Sequence, residues 1–130
     1  MTAEERDTQR QRVERLARTW ITALGLGYWN IRHAYYGEEN RDRFSRHEGE
    51  ALMTVQPDWR YLTATIDINL ELVSQISDPE LEMHYVHELA HVFLDEMREQ
   101  DPAHEERVAT MLARAFIWLR NSCMQAAATG

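Results

Sequence analysis

The sequence predicts one α+β domain spanning residues 1–130, with a helix, three short strands and two further helices in that order. Apolar residues recur at helical spacing near both ends of the chain, while β-branched and aromatic residues dominate its middle. A chain of 130 residues that is 44% hydrophobic can fill one modest core. Because the strands are grouped rather than alternating with helices, we expect an α+β arrangement and not an α/β one.

Composition excludes several classes of protein. The net charge of −8 disfavours nonspecific binding to nucleic acid, which needs a basic surface. No apolar run approaches the ~20 residues of a membrane-spanning helix, and the polar N-terminus lacks a secretory signal. The single cysteine, Cys123, cannot form an internal disulfide. We therefore expect a cytoplasmic protein that binds neither nucleic acid nor a membrane.

Residues 4–24 are predicted to form an amphipathic helix. Its apolar residues follow the spacing of one helix face, and charged or amide side chains lie between them. Gly25 and Gly27 then provide a stop. The residues of the predicted buried face are Val13, Leu16, Ala17, Trp20, Ile21 and Leu24.

Three strands are predicted next, at Tyr28–Tyr36, Ala51–Gln56 and Tyr61–Leu70. The third alternates apolar and polar residues, which is typical of a strand with one buried face. The charged segment 37–50 is predicted to be a long loop, and Pro57-Asp58 to open a turn. Together the strands would form a short three-stranded sheet.

Two helices complete the prediction. The first starts at a strong cap, formed either by Asp78 with Pro79 at the first helical position or by Ser77 and Glu80 as a capping box. It is predicted to run to about Glu99, before Asp101-Pro102 breaks it. The last helix is expected from near Ala103 through Cys123.

The first of these helices carries an HExxH motif at residues 87–91. His87 and His91 are slightly more than one helical turn apart, so both imidazoles project from one face and can bind one metal ion. Glu88 lies beside that pair, where it can take a proton from a metal-bound water. Between Asp78 and Glu106 there are ten acidic residues and one basic residue, and this charge favours a cation.

A catalytic zinc site usually has three protein ligands, so a third ligand is expected. The last helix begins with two consecutive carboxylates, Glu105 and Glu106, and can fold back against the HExxH helix. We take Glu106 as the predicted ligand and Glu105 as the reserve. Amphipathic phase alone favours Glu105, because it shares a face with Leu112 and Phe116. Asp95 is a candidate hydrogen-bond partner for a ligand imidazole, or a solvated helix charge.

The runs HELAHVFLDEM (residues 87–97) and EERVATMLARAF (residues 105–116) resemble the gluzincin type of zincin metallopeptidases. They are similar in particular to small single-domain forms from phage and bacterial genomes, and more distantly to the ImmA/IrrE group. In that group the ligand Glu is followed three and four residues later by Ala and a polar residue. Glu106 matches this pattern through Ala109 and Thr110, so the resemblance favours Glu106. The similarity covers roughly residues 61–119.

This resemblance implies a minimal zincin-like fold and zinc-dependent hydrolysis of peptide bonds in a peptide or protein substrate. His87, His91 and Glu106 would hold Zn²⁺, and Glu88 would act as general base. The strand at 61–70 would border the cleft, where an extended peptide could pair with its edge. The alternative is a non-catalytic, metal-stabilised binding or regulatory protein, for example one acting on a repressor. A protein partner could supply specificity that so small a domain lacks.

Overall fold

The computed structural model describes residues 1–37, 51–95 and 101–129. The predicted α+β class is confirmed, since four helices accompany a three-stranded mixed sheet. Residues 38–50 of the predicted loop lie outside the described part of the chain. The elements in order are α1 (Ala3–Ala23), β1 (Asn30–Tyr36), β2 (Met53–Asp58), β3 (Thr63–Asn69), α2 (Leu70–Val73), α3 (Asp78–Leu94) and α4 (Pro102–Thr129).

The sheet has the strand order β1-β3-β2. β1 runs parallel to β3, with Ile31 opposite Ala64, and β2 runs antiparallel to β3, with Val55 opposite Ile66. The third predicted strand is therefore central, and Ile66 and Ile68 on it are fully buried. The expectation that a peptide pairs with the edge of this strand is wrong, because β1 and β2 occupy both of its edges.

All three strands differ from the prediction by one or two residues at one or both ends, and the ends of β2 and β3 have clear local causes. Pro57 and Asp58 belong to β2, and the turn follows at residues 59–62, where the backbone N–H of Arg60 donates to Asp58 Oδ1 at 3.0 Å. A proline is tolerated in a strand where its missing N–H faces no partner. At the end of β3, Asn69 caps the unpredicted helix α2 by accepting from the N–H groups of Glu71 and Leu72.

Helix α1 has the predicted buried face and stop. Val13, Ala17 and Trp20 are buried against the rest of the core. Gly25 adopts φ +71°, and the N–H of Leu26 donates back to the carbonyl of Ile21 at 2.9 Å. This closes the helix as glycine-terminated helices do, because glycine enters the left-handed region without a Cβ penalty.

Helix α3 lies at the centre of the fold and packs against α1, α4 and β2. Ser77 is its N-cap, accepting from the N–H of Glu80, and Pro79 lies in the first turn. The fully buried Leu81, Tyr85 and Leu89 form its core-facing stripe. The described helix extends to Leu94, and the predicted continuation to about Glu99 falls on residues 96–100, which lie outside the described chain.

Helix α4 starts at Pro102, where Asp101 accepts from the N–H of His104 at 3.0 Å. It lies antiparallel to α3, since its first turn meets His91 near the end of α3 while Arg120 meets Glu82 near the start. In the part of the chain that is described, no helix is long and apolar enough to cross a membrane.

Candidate metal centre

The two histidines of the HExxH motif come together on one face of α3. Their Nε2 atoms are 3.1 Å apart, and both side chains are mostly buried. The helix is held in this rotation because the neighbouring Val86, Leu89 and Ala90 are completely buried on its other side. Local packing thus directs both imidazoles towards the first turn of α4.

Glu106 reaches both of these nitrogens from α4. Its Oε1 is 2.7 Å from Nε2 of His87, and its Oε2 is 3.1 Å from Nε2 of His91. The carboxylate is 59% exposed, so it projects into solvent-accessible space. Among the residues described, His87, His91 and Glu106 form a group whose candidate ligand atoms all lie within 4.8 Å of one another.

Glu105, the reserve ligand, contacts the imidazole of His91 on the side of the ring opposite to Glu106. Its Oε1 is 2.7 Å from Nδ1 of His91, and only 5% of the residue is exposed. Glu105 is thus the buried one of the two glutamates, but the carboxylate that phase alone favoured as the ligand lies outside the three-residue group. Asp95, four residues after His91, instead accepts from the backbone N–H of Trp59 at 3.0 Å.

A cleft of about 310 Å³ opens over this group. Glu88 lies in its wall, as the motif predicts for a residue beside the histidine pair. Strand β2 contributes the opposite wall, which sequence reasoning missed because the pairing of the strands could not be read from local pattern. The lining residues are Met53, Thr54, Val55, His87, Glu88, His91, Pro102, Glu105 and Glu106.

The electrostatics of the cleft favour a neutral imidazole at His87. Burial lowers the pKa of His87 most strongly, and the nearby His91 and His84 lower it further, while the Glu106 carboxylate opposes the shift. Metal binding requires the neutral imidazole with a free lone pair, so the environment presents His87 in the form that binds cations.

The donor set fits a divalent metal ion. Two imidazole nitrogens and one carboxylate oxygen are ligands that zinc uses in catalytic sites. With metal–nitrogen bonds of about 2.0–2.1 Å, two tetrahedral ligand nitrogens lie about 3.3 Å apart. The 3.1 Å separation of the two Nε2 atoms is close to this spacing. His84 and His104 are exposed and lie outside the group.

No family model matches this chain, and neither a curated protein nor a solved structure matches it. The function of the site is therefore inferred from the identity and geometry of its own residues.

Proposed function

We propose that this protein is a zinc-dependent hydrolase of peptide bonds. The observation that carries the proposal is the convergence of the HExxH histidines with Glu106 in a cleft whose wall contains Glu88. His87, His91 and Glu106 would hold the metal, leaving room for a further ligand on the cleft side. The gluzincin-like resemblance of the motif and of the helix that follows it supports the same assignment.

Each residue then has a definite task. When bound, the metal ion would lower the pKa of a water molecule and polarise the scissile carbonyl. Glu88 follows His87 directly, and its carboxylate would take up the proton and return it to the leaving amine. The half-buried wall position of Glu88 supports this role, because a general base must lie within reach of the reacting atoms.

The size of the cleft limits what the domain recognises unaided. A volume of about 310 Å³ is at the lower end of the range for ligand pockets. Such a cleft receives the few atoms around one scissile bond of a peptide or protein substrate. Recognition of a longer sequence would fall to a protein partner. Cys123 is the single cysteine and is exposed, which suits a reducing compartment, so we propose a cytoplasmic location.

The decisive experiment compares zinc-loaded wild type with Glu88→Gln on a broad peptide library, with cleavage followed by mass spectrometry. We expect cleavage by wild type and a loss of at least about 100-fold in Glu88→Gln, since a general base contributes about 10²–10⁴-fold. Glu71→Gln is the matched control, because Glu71 is also partly exposed but lies on α2 outside the cleft. Equal cleavage by wild type and Glu88→Gln would contradict the proposal.

A second candidate is a metal-stabilised binding or regulatory protein without catalysis. It is favoured by large apolar side chains exposed on α4, among them Met111 at 71% and Trp118 at 69%. Exposed apolar surface of this kind often marks a protein–protein contact. In that case metal binding would raise the melting temperature of both wild type and Glu88→Gln, and neither would cleave the library.

A further inference from the structure

Glu105 is an unusual residue in this fold because its carboxylate is buried. Among the residues described, only Asp67, Asn69 and Glu105 are polar or charged and buried. Burying an ionised carboxylate is costly unless it is paired and hydrogen-bonded. For Glu105 the partner is Nδ1 of His91, at 2.7 Å. The burial of this glutamate is thus coupled to one imidazole of the candidate metal site.

The contact favours one of the two tautomers of the His91 imidazole. A carboxylate oxygen accepts hydrogen bonds, so the 2.7 Å contact with Glu105 favours a proton on Nδ1 of His91, whereas the Glu106 carboxylate lies farther from Nε2, at 3.1 Å. In the neutral ring the lone pair is then on Nε2. That atom lies 3.1 Å from Nε2 of His87 and 3.1 Å from the Glu106 carboxylate. In this tautomer the proton would lie on the side of the ring away from the ligand group.

The backbone around Glu105 holds this carboxylate in place. Its N–H donates to the carbonyl of Asp101 at 3.0 Å, within the first turn of α4. Ala109, one turn further on, is completely buried against the core. Glu106, the next residue, consequently projects from the exposed side of the same turn. Two consecutive glutamates therefore reach opposite nitrogens of one histidine.

We propose that Glu105 is a positioning residue that orients the ring of His91 and selects its Nδ1–H tautomer, so that Nε2 is ready to bind the metal. The inference rests on the proposed metal site for its consequence, although the tautomer itself is a property of the protein without metal. It assigns different tasks to the two glutamates. Glu106 supplies a ligand atom, and Glu105 increases the affinity of a ligand supplied by another residue.

The first test reads the tautomer directly. Nitrogen-15 NMR of the imidazole side chains would be recorded on metal-free protein at alkaline pH for wild type, Glu105→Gln and Glu105→Leu. We expect wild type and Glu105→Gln to carry the His91 proton on Nδ1, because the glutamine carbonyl still accepts. Glu105→Leu should populate the Nε2–H form. An Nε2–H form in wild type, or a Leu variant identical to wild type, would overturn the inference.

The second test measures metal affinity by competition with a chromophoric zinc chelator. Glu105→Leu should weaken zinc binding by about 10–100-fold, the usual loss when the partner of a ligand histidine is removed. Glu105→Gln should recover much of this loss, whereas Glu106→Gln, which removes a ligand, should lose more. Circular dichroism checks that each variant is folded, and Glu105→Ala, which also removes the acceptor, replaces the leucine variant if that one does not fold. Unchanged affinity in folded Glu105→Leu would count against the role.

These readouts separate the inference from the proposed function. If wild type binds zinc and shows the Nδ1–H tautomer but cleaves no peptide, the peptidase proposal fails and the role of Glu105 stands. If wild type cleaves peptides and the tautomer is unaffected by Glu105→Leu, the peptidase proposal stands and the role of Glu105 fails.

Discussion

Glu82 on α3 and Arg120 on α4 form an ion pair with two hydrogen bonds, of 2.6 and 2.9 Å, between the guanidinium and the two carboxylate oxygens. Trp20 of α1 donates to the same carboxylate at 3.0 Å, and the Arg120 guanidinium lies over its ring. Three helices therefore meet at the end of α3 opposite to the candidate metal centre. This contact helps to set the alignment of α4 that places Glu106 beside His87.

Breaking this pair should destabilise the fold. The pair is only partly exposed, at 16% for the glutamate side chain and 31% for the arginine, so hydrogen bonds between its charges are worth about 1–2 kcal/mol. We expect Arg120→Met to lower the free energy of unfolding by that amount in urea denaturation. In a double-mutant cycle, Glu82→Gln should cost little more once Arg120 is replaced. Fully additive effects would show that the two residues are not coupled.

The same pair should make stability depend on pH. The hydrogen bond from Arg120 holds the pKa of Glu82 below its ordinary value of 4.5, and Trp20 adds to the effect, while burial opposes it. A folded-state pKa below the unfolded one means that the contribution is complete above pH 4.5 and is lost as the pH falls through the folded value. The stability difference between wild type and Glu82→Gln should shrink over that acid range. Glu4→Gln, at an exposed position in the first turn of α1, is the control.

His33 should make the stability of the fold depend on pH in a second range, at higher pH than Glu82. Its Nε2 lies 2.7 Å from the Tyr85 hydroxyl, with the ring stacked on Tyr35 and Tyr85. Burial lowers its pKa from 6.5, and the Glu14 carboxylate opposes the shift. Below pH 6.5 the unfolded chain therefore binds this proton more readily, and stability falls until the folded pKa is passed.

Thermal unfolding across this range should show that fall in wild type and a smaller fall in His33→Gln. His104→Gln is the matched control, because His104 is an exposed histidine at the start of α4. An identical pH profile for wild type and His33→Gln would rule out a contribution from His33.

Metal binding should depend on His87 and not on its neighbour His84. Both lie on α3, but only His87 belongs to the group with His91 and Glu106. Isothermal titration with Zn²⁺ should show one site in wild type and His84→Ala, and loss of at least about 100-fold in affinity for His87→Ala, since the two remaining ligands are too few for a zinc site. Retained affinity in His87→Ala would place the metal elsewhere.

Gly25 should resist substitution although space surrounds it. A Cβ at this position would meet nothing within 4 Å, but the backbone has φ +71°. Gly25→Ala should therefore cost about 1–2 kcal/mol from backbone strain alone, measured by chemical denaturation. Gly27 has equally open surroundings without a left-handed backbone, so Gly27→Ala should be neutral or slightly stabilising. Equal effects at both positions would contradict this explanation.

The sequence by itself determined the elements whose causes are local. The apolar spacing of residues 4–24, the cap at Ser77 and the break at Asp101-Pro102 predicted three helices that the structure contains. Alternation predicted β3, and the HExxH spacing predicted that His87 and His91 share a helix face. Each of these depends on neighbours a few residues apart, which is why periodicity and capping reveal them.

The site was predictable in part for the same reason. Helical phase alone favoured Glu105 as the third ligand, whereas the resemblance favoured Glu106, which is the glutamate that lies with the two histidines. Neither line of reasoning indicated that both would contact His91. That relation depends on how α4 is rotated and seated against α3, and contacts such as that of Arg120 with Glu82 determine it.

Only the tertiary structure decided the order of the strands and the walls of the cleft. The prediction that a peptide pairs with the edge of residues 61–70 was wrong because β1, although distant in sequence, inserts parallel beside β3. The position of β2, which lines the same cleft as Glu88, likewise depends on pairing between distant segments. Such pairings are selected by the burial of the whole core, and no local pattern of side chains specifies which strands are neighbours.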